Sequence, residues 1–246
     1  MLPLPRVSLV IPAWEEAESI GAVLSEIPPA LVGEVLVVVG GAGDPTGPAA
    51  AALGARVLAP SQRGYGAACH EGALAAAAGG AEVLVFLDGD YADPPLELGR
   101  VLGPVLAGQA DLALGCRDAS AHPDALPRHA RLGNALVLAA LRCLLGGPAL
   151  HDLPSFKAIR VDALAALGMQ EMTYGWTVEM LVKAKRAGLR IAQVQVPYRP
   201  RLAGRSKVSG TVHGSLGAAW KLASCGLRYA TWTAATPPGR RAARSA

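Results

Sequence analysis

Along the first ninety residues, short runs of consecutive apolar positions alternate with stretches whose apolar residues recur every three or four positions. "RVSLVIPAW" (6–14) reads as a buried strand stopped by Pro12. "EEAESIGAVLSEIP" (15–28) puts Ile20, Val23, Leu24 and Ile27 on one helical stripe, with acids in the first turn where the helix dipole favours them. "EVLVVVGG" (34–41) is a second continuous strand, followed by a small helix over 45–53 and a short strand, "ARVLA" (55–59). "YGAACHEGALAAAAG" (65–79) predicts an Ala-rich helix, and "AEVLVFL" (81–87) a fourth strand that runs directly into acids. Continuous apolar strands joined by helices predict an α/β fold with a mostly parallel sheet covered on both faces. Ligands of such sheets gather at the carboxyl ends of the strands, where Gly40, Gly41, Asp88 and Asp90 fall.

Beyond the acids the pattern predicts a helix over 95–107, a strand "ADLALGC" (110–116), a loop, and a helix over 131–145. "SFKAIR" (155–160) reads as a strand and "WTVEMLVKAKRAG" (176–188) as an amphipathic helix. "LRIAQVQVPYRP" (189–200) alternates and then stops at proline, as an edge strand would. The chain divides into one domain over 1–210, an amphipathic helical extension over 211–233 with Val212, Leu216, Trp220, Ala223 and Leu227 on a stripe, and a tail over 234–246 expected to be disordered.

Composition narrows this picture. With 246 residues, 52% apolar and only 17% charged, the chain has ample material for a large core. The net charge of +4 is unevenly spread, because no acidic residue follows Glu179. That asymmetry points the C-terminal third at an anion: a nucleotide, a phosphorylated acceptor or a lipid surface. Four cysteines at wide spacing form no zinc pattern or disulfide framework, and the aromatic content of 4% is thin for a nucleic-acid groove. No apolar run reaches about 18 residues and no signal peptide opens the chain, so a cytoplasmic location is expected.

The chemistry concentrates in "FLDGDYADPP" (86–95). Asp88 and Asp90 offer two hard oxygen donors around the flexible Gly89, which suits Mg²⁺ or Mn²⁺ held jointly with phosphate oxygens. Opposite charge is available from Arg63, in "SQRGYGAA" with Gly64 and Gly66 at a helix entrance, where backbone amides could face a phosphate. It is also available from Arg199, Arg201, Arg205 and Lys207 in "RPRLAGRSK", a glycine-containing loop able to close over a pyrophosphate. Neither glycine-rich segment is a Walker loop or a dinucleotide fingerprint.

The co-linear set "VSLVIPAWEEAESI", "EVLVVVGG", "RGYGAA", "VLVFLDGDYADPP", "ALGCR", "LGN", "HDLPSFKAIR", "YGWTVEM" and "VPYRPRLAGRSK" resembles family 2 glycosyltransferases of the GT-A fold, most of all the dolichyl- or polyprenyl-phosphate mannosyl- or glucosyltransferase branch. The resemblance spans roughly 6–210. It implies a single-domain nucleotide-diphosphosugar transferase sandwich and inverting sugar transfer. By position it implies that Asp88 and Asp90 bind metal and diphosphate, and that Pro12, Ala13 and Glu15 line the nucleoside. Arg63 and Gly64 match a nucleotide-side loop, and Asp152 an aspartate near sugar and acceptor. Trp176 and Glu179 match a helix beside the reaction centre, and Arg201, Arg205 and Lys207 a loop that engages phosphates. Family members carry acids after the second strand where this chain has Gly40 and Gly41, and Asp44 is a candidate substitute.

The expected reaction is attack by an acceptor on the anomeric carbon of a UDP- or GDP-linked sugar, with a divalent metal on Asp88 and Asp90 and loop cations such as Arg205 holding the charge of the departing diphosphate. A phosphate acceptor, favoured as polyprenyl phosphate, needs no base; a hydroxyl acceptor would need Asp152 or Glu179. Plain readings stand beside these: Asp152 as a turn or cap residue, Glu179 as an i,i+4 partner of Lys183, Trp176 as core. The extension could rest on the inner face of a membrane, pack on the sheet or join a second copy. Rival classes are a nucleotidyltransferase, for which the segment after the first strand is too acidic and glycine-poor, and a non-catalytic sugar-nucleotide-binding protein.

Overall fold

A computed structural model of the protein describes residues 5–204 and 222–233. Among the described residues seven strands make one sheet: β1 (Val7–Ala13), β2 (Glu34–Val39), β3 (Arg56–Leu58), β4 (Val83–Phe86), β5 (Leu112–Asp118), β6 (Lys157–Arg160) and β7 (Ile191–Pro197). Their order is β3-β2-β1-β4-β6-β5-β7. All neighbours are parallel except β6, which runs antiparallel between β4 and β5. The mostly parallel sheet is the expected one, and "LRIAQVQVPYRP" supplies its edge.

Every residue of β1 and β4 is buried, which follows from strands that are apolar at nearly every position and covered on both faces. On one face Val10, Val38 and Phe86 meet α3 (Tyr65–Ala78) and α7 (Trp176–Arg186). On the other, Leu9, Ile11 and Val85 meet α1 (Ile20–Glu26) and α4 (Leu98–Leu106), while α2 (Thr46–Ala51) adds Ala50. The small residues of α3 let it sit very close to the sheet: a Cβ on Gly72 would lie 2.3 Å from Val10 Cγ1.

Beyond α7 lies a further layer, made by α5 (Arg128–Leu145) and a helix over 222–229, here α8. Val137 and Leu141 of α5 pack with Val178 and Val182 of α7 and with Cys225 and Tyr229 of α8. The segment expected as an amphipathic helix is a helix with more of its surface covered than that pattern predicts. Trp176 through Ala184 are all buried, because α7 has the sheet on one side and α5 and α8 on the other. The short α6 (Val161–Leu167) completes the sheet's cover. Residues 211–221 of the expected C-terminal helix and the tail from 234 lie outside the described residues. Among the described residues no helix is long and apolar enough to cross a membrane.

Candidate functional site

The parallel strands β1, β2 and β4 end together, and their carboxyl ends open on a pocket of ≈ 410 Å³. Pro12, Ala13 and Trp14 enter it from β1, and Val38, Val39 and Gly40 from β2. Asp88, Gly89 and Asp90 enter from the turn after β4. Arg63, Gly64 and Tyr65 close one side; Thr173, Tyr174 and Arg201 close another. The sequence-predicted Pro12, Ala13, Gly40, Arg63, Gly64, Asp88, Gly89, Asp90 and Arg201 are thereby brought to one place.

The acids there are poorly satisfied. Asp88 Oδ1 and Asp93 Oδ1 are buried with no hydrogen-bond partner. Burial, reinforced by the charge of Asp90, pushes the Asp88 carboxyl up to about 6, against the pull of Lys157, Ser155 and Arg201. Burial and the charge of Asp88 push Asp93 up to about 7, although Ser155 Oγ donates to its Oδ2 at 3.0 Å. Asp90 is better held: its Oδ1 accepts from the Ala92 amide at 2.9 Å, and its Oδ2 lies 2.8 Å from Arg201 Nη2. Two neighbouring carboxylates in a pocket lining, one with an orphaned buried oxygen, fit a hard divalent cation that takes its other ligands from phosphate and water. Among the described residues no group of three or more His, Cys, Asp or Glu is arranged to hold such an ion without that help.

A strap after β7 holds this turn. The Arg199 amide donates to the Ala92 carbonyl at 2.9 Å and the Leu202 amide to the Asp90 carbonyl at 3.2 Å. The Arg199 guanidinium pairs with Glu26 at 2.9 Å and lies 4.1 Å from the centre of the Tyr91 ring, whose hydroxyl donates to Glu26. Tyr91 itself sits at φ 68°, a left-handed conformation that a tyrosine adopts only when its surroundings fix it.

Other predicted residues fall elsewhere. Glu15 does not line the pocket; its amide is tied to Asp44, and Glu16 faces the pocket instead. Asp44 is not a nucleoside ligand but a turn clamp, accepting from the Glu15 and Thr46 amides and from Thr46 Oγ1 at 2.6 Å. Burial works upward on its carboxyl, and the Thr46 donors outweigh it. The amides of Gly66 and Ala67 do not await a phosphate. They donate to the Thr173 and Met172 carbonyls at 3.1 and 2.9 Å. The glycines are there because a Cβ on Gly64 would lie 2.2 Å from Met172 O, and one on Gly66 2.2 Å from Glu171 O.

Trp176 is not a sugar platform either. It is fully buried, edge-on to His70 and Phe86. Glu179 lies outside the pocket lining, fully buried 2.7 Å from Lys183 Nζ, and its carboxylate accepts the Gln170 and Glu171 amides. It thereby anchors the segment that carries Thr173 and Tyr174 to the pocket. Asp152 is bound through both oxygens by Arg117, at 2.6 and 2.8 Å, and also accepts from Asn134. Burial alone would raise its carboxyl, and the guanidinium overrides that to hold it below the usual range. Arg205 and Lys207 lie outside the described residues.

Sequence reasoning passed over four residues. Arg117 was visible at the end of a strand ("ALGCR"). Lys157 is fully buried, donates to the Pro154 and Ser155 carbonyls and to Thr177 Oγ1, and is the cation beneath Asp88 and Asp93. Burial lowers its ammonium. Tyr65 brings a buried hydroxyl without a partner to the pocket. Trp14 is 47% exposed within the pocket lining, and Gly40 makes room for it: a Cβ there would lie 2.7 Å from Trp14 Cδ1. Gly40 is thus linked to an indole at the same end of the pocket.

Comparison with known proteins agrees with this geometry. The sequence profile of the family described as "Glycosyl transferase family 2" matches residues 8–168. An uncharacterised glycosyltransferase of Mycobacterium tuberculosis is 35% identical over 223 residues, covering 89% of this chain and 98% of the relative. A dolichyl-phosphate hexose transferase of Haloferax volcanii is 32% identical over 211 residues, 85% of this chain and 89% of the relative. Among solved structures, the glucosyl-3-phosphoglycerate synthase of M. tuberculosis in complex with Mn²⁺, UDP-glucose and phosphoglyceric acid superposes with a TM-score of 0.73 at 27% identity, covering 92% of this chain and 80% of that one.

Proposed function

The chain belongs to glycosyl transferase family 2, and from that premise we propose that it moves a hexose from a UDP-linked sugar to a phosphorylated acceptor, polyprenyl phosphate above all. It is an inverting, nucleotide-sugar-dependent transferase. The observation that carries the reading is the orphaned, buried oxygen of Asp88, which with Asp90, Arg63 and Arg201 lines the pocket. Asp88 and Asp90 are the residues that would hold a divalent cation, Mn²⁺ as in the synthase complex or Mg²⁺, and such an ion supplies charge neutralisation for the diphosphate. Trp14, packed beside Gly40 and half-exposed in the pocket lining, is the residue that would stack on the base. Arg63 and Arg201 lie where a diphosphate would run, and fixed positive charge at the leaving group lowers the barrier to its departure.

The acceptor preference rests on what the carboxylates are doing. Asp152 is committed to Arg117 and Glu179 to Lys183, so neither is free to take a proton. A phosphate acceptor is already an anion, and its oxygen attacks without a base. Helix α5 supports a lipid-borne phosphate: it contains no acid, and Leu132 and Leu136 are more than half exposed on a helix that also exposes Arg128 and Arg142. A peripheral bilayer contact through that face would bring a lipid phosphate toward Asp152 and Arg117, since Asn134 on the same helix touches Asp152. The second reading is a small hydroxyl acceptor, as in the synthase, and it is favoured by Asp93, a carboxylate raised to about 7 beside the acid pair.

The test is radiolabelled transfer from UDP- and GDP-hexoses, with Mn²⁺, to polyprenyl phosphate in anionic vesicles and to 3-phosphoglycerate. Transfer to the lipid supports the first reading. Transfer to the glycerate alone replaces it with the second, and transfer to neither, with no hydrolysis of any donor, removes both.

A further inference from the structure

Arg201 meets the acid pair from a backbone that is tied down on both sides. The Arg199 amide holds the Ala92 carbonyl and the Leu202 amide the Asp90 carbonyl, so the main chain around Arg201 follows the turn that carries Asp90. Its side chain reaches two carboxylates in the same pocket: Asp90 Oδ2 at 2.8 Å and Glu16 Oε1 at 3.7 Å. Ser19 Oγ, which donates to the Gly89 carbonyl at 2.7 Å, also touches Glu16 Oε2 at 3.2 Å, so Glu16 belongs to the same framework as the acid turn.

The following step rests on the reading of Asp88 and Asp90 as a divalent-cation pair. A cation held by those carboxylates would compete with the guanidinium on Asp90 Oδ2 for the same negative charge, and the two like charges would repel over a few ångströms of partly dry protein. Arg201 has somewhere to go. Glu16 lies on its other flank, and a diphosphate in the pocket would present oxygens that match a guanidinium fork. We propose that Arg201 is an exchangeable counterion of the acid pair: it neutralises Asp90 until metal and diphosphate bind, then turns by side-chain rotation toward Glu16 and the diphosphate. The pinned backbone makes this a change of rotamer, with no loop opening.

Two consequences follow. Arg201 weakens the intrinsic affinity of the acid pair for metal. A nucleoside diphosphate, by giving Arg201 a new partner, relieves that competition, so metal and nucleotide strengthen each other's binding by the same factor. Donor and metal then load together, and the free protein does not collect metal unproductively.

The experiment is a Mn²⁺ titration followed by the electron paramagnetic resonance signal of the free ion, with and without UDP, on the wild type and the Arg201→Gln and Arg201→Lys variants. Without nucleotide, Arg201→Gln is expected to bind Mn²⁺ about fivefold more tightly than wild type, the size of a competing ion pair of about 1 kcal/mol. Arg201→Lys, which keeps the charge, falls between, and UDP tightens Mn²⁺ binding less in the Gln variant than in wild type. Equal or weaker Mn²⁺ binding by both variants without UDP overturns the exchange while leaving the acid pair as the metal site. Absence of Mn²⁺ binding by all three proteins, with or without UDP, overturns the acid-pair reading and the exchange with it.

Discussion

The Glu179–Lys183 pair is fully buried and the Asp88–Asp90–Asp93 group is buried except for part of Asp88, and the two have been finished to different degrees. Around Glu179 every oxygen is used: Lys183 lies at 2.7 Å, the Gln170 amide at 2.8 Å and the Glu171 amide at 2.7 Å. Lys183 also donates to the Gly168 carbonyl and faces the Tyr229 ring at 4.7 Å. The strand-end acids contain two orphaned oxygens, and their three carboxylates face Lys157, Arg201 and Arg117, the last already bound to Asp152. Folding alone gains nothing from such a deficit, because an unpaired buried oxygen costs about 1–3 kcal/mol. Complete neutralisation marks charge used to build the protein, and incomplete neutralisation marks charge kept for a ligand.

That contrast is broken most severely at Glu179. Glu179→Ala strands Lys183 as a buried charge and frees the 168–174 segment, and urea unfolding should show a loss of about 3–5 kcal/mol. A loss under 1 kcal/mol would mean that the pair is not the clamp described here.

The opposite sign is expected at Asp93. Its ordinary value is 3.8, and folding raises it to about 7 through burial and the charge of Asp88. Between those values the folded state holds a proton that the unfolded chain releases, so this group's contribution to stability falls as pH rises through the window and stays low above it. Asp93→Asn, which can keep the Ser155 hydrogen bond, should raise stability at pH 8 on the order of 2 kcal/mol and flatten the pH dependence between 4 and 7. Denaturant melts at a series of pH values measure both.

A smaller effect sharpens the pocket half of the comparison. Trp14→Ala should weaken UDP binding about tenfold, the worth of one base stacked on an aromatic ring, and leave pyrophosphate binding and stability unchanged. Equal loss for UDP and pyrophosphate would move Trp14 away from the base.

Much of this was legible in the chain. β1, β2 and β4 announce themselves because they are buried on both faces and so are apolar at nearly every position; "DGD" at the end of the last of them marks the site. What stayed hidden depends on distant segments meeting. Lys157 matters because antiparallel β6 sets it opposite Phe86, one strand from the acids, and a single lysine in "SFKAIR" carries no sign of that register. Gly64 and Gly66 stand at a helix entrance where amides could face a phosphate, but the Gly66 and Ala67 amides and the space beside both glycines are taken by residues 171–173, more than a hundred positions later. In α7 the polar look of Glu179 and Lys183 mimics a solvent face, since each hides the other's charge in the core. Asp152 read as a base because its partner Arg117 lies 35 residues away.

The most direct measurement is on Asp88→Asn, with Mn²⁺-dependent UDP-hexose binding by calorimetry and the unfolding free energy determined on the same preparation. The account predicts that metal-dependent binding is lost while stability holds or rises. Retained binding, or a protein that unfolds more readily, would contradict it.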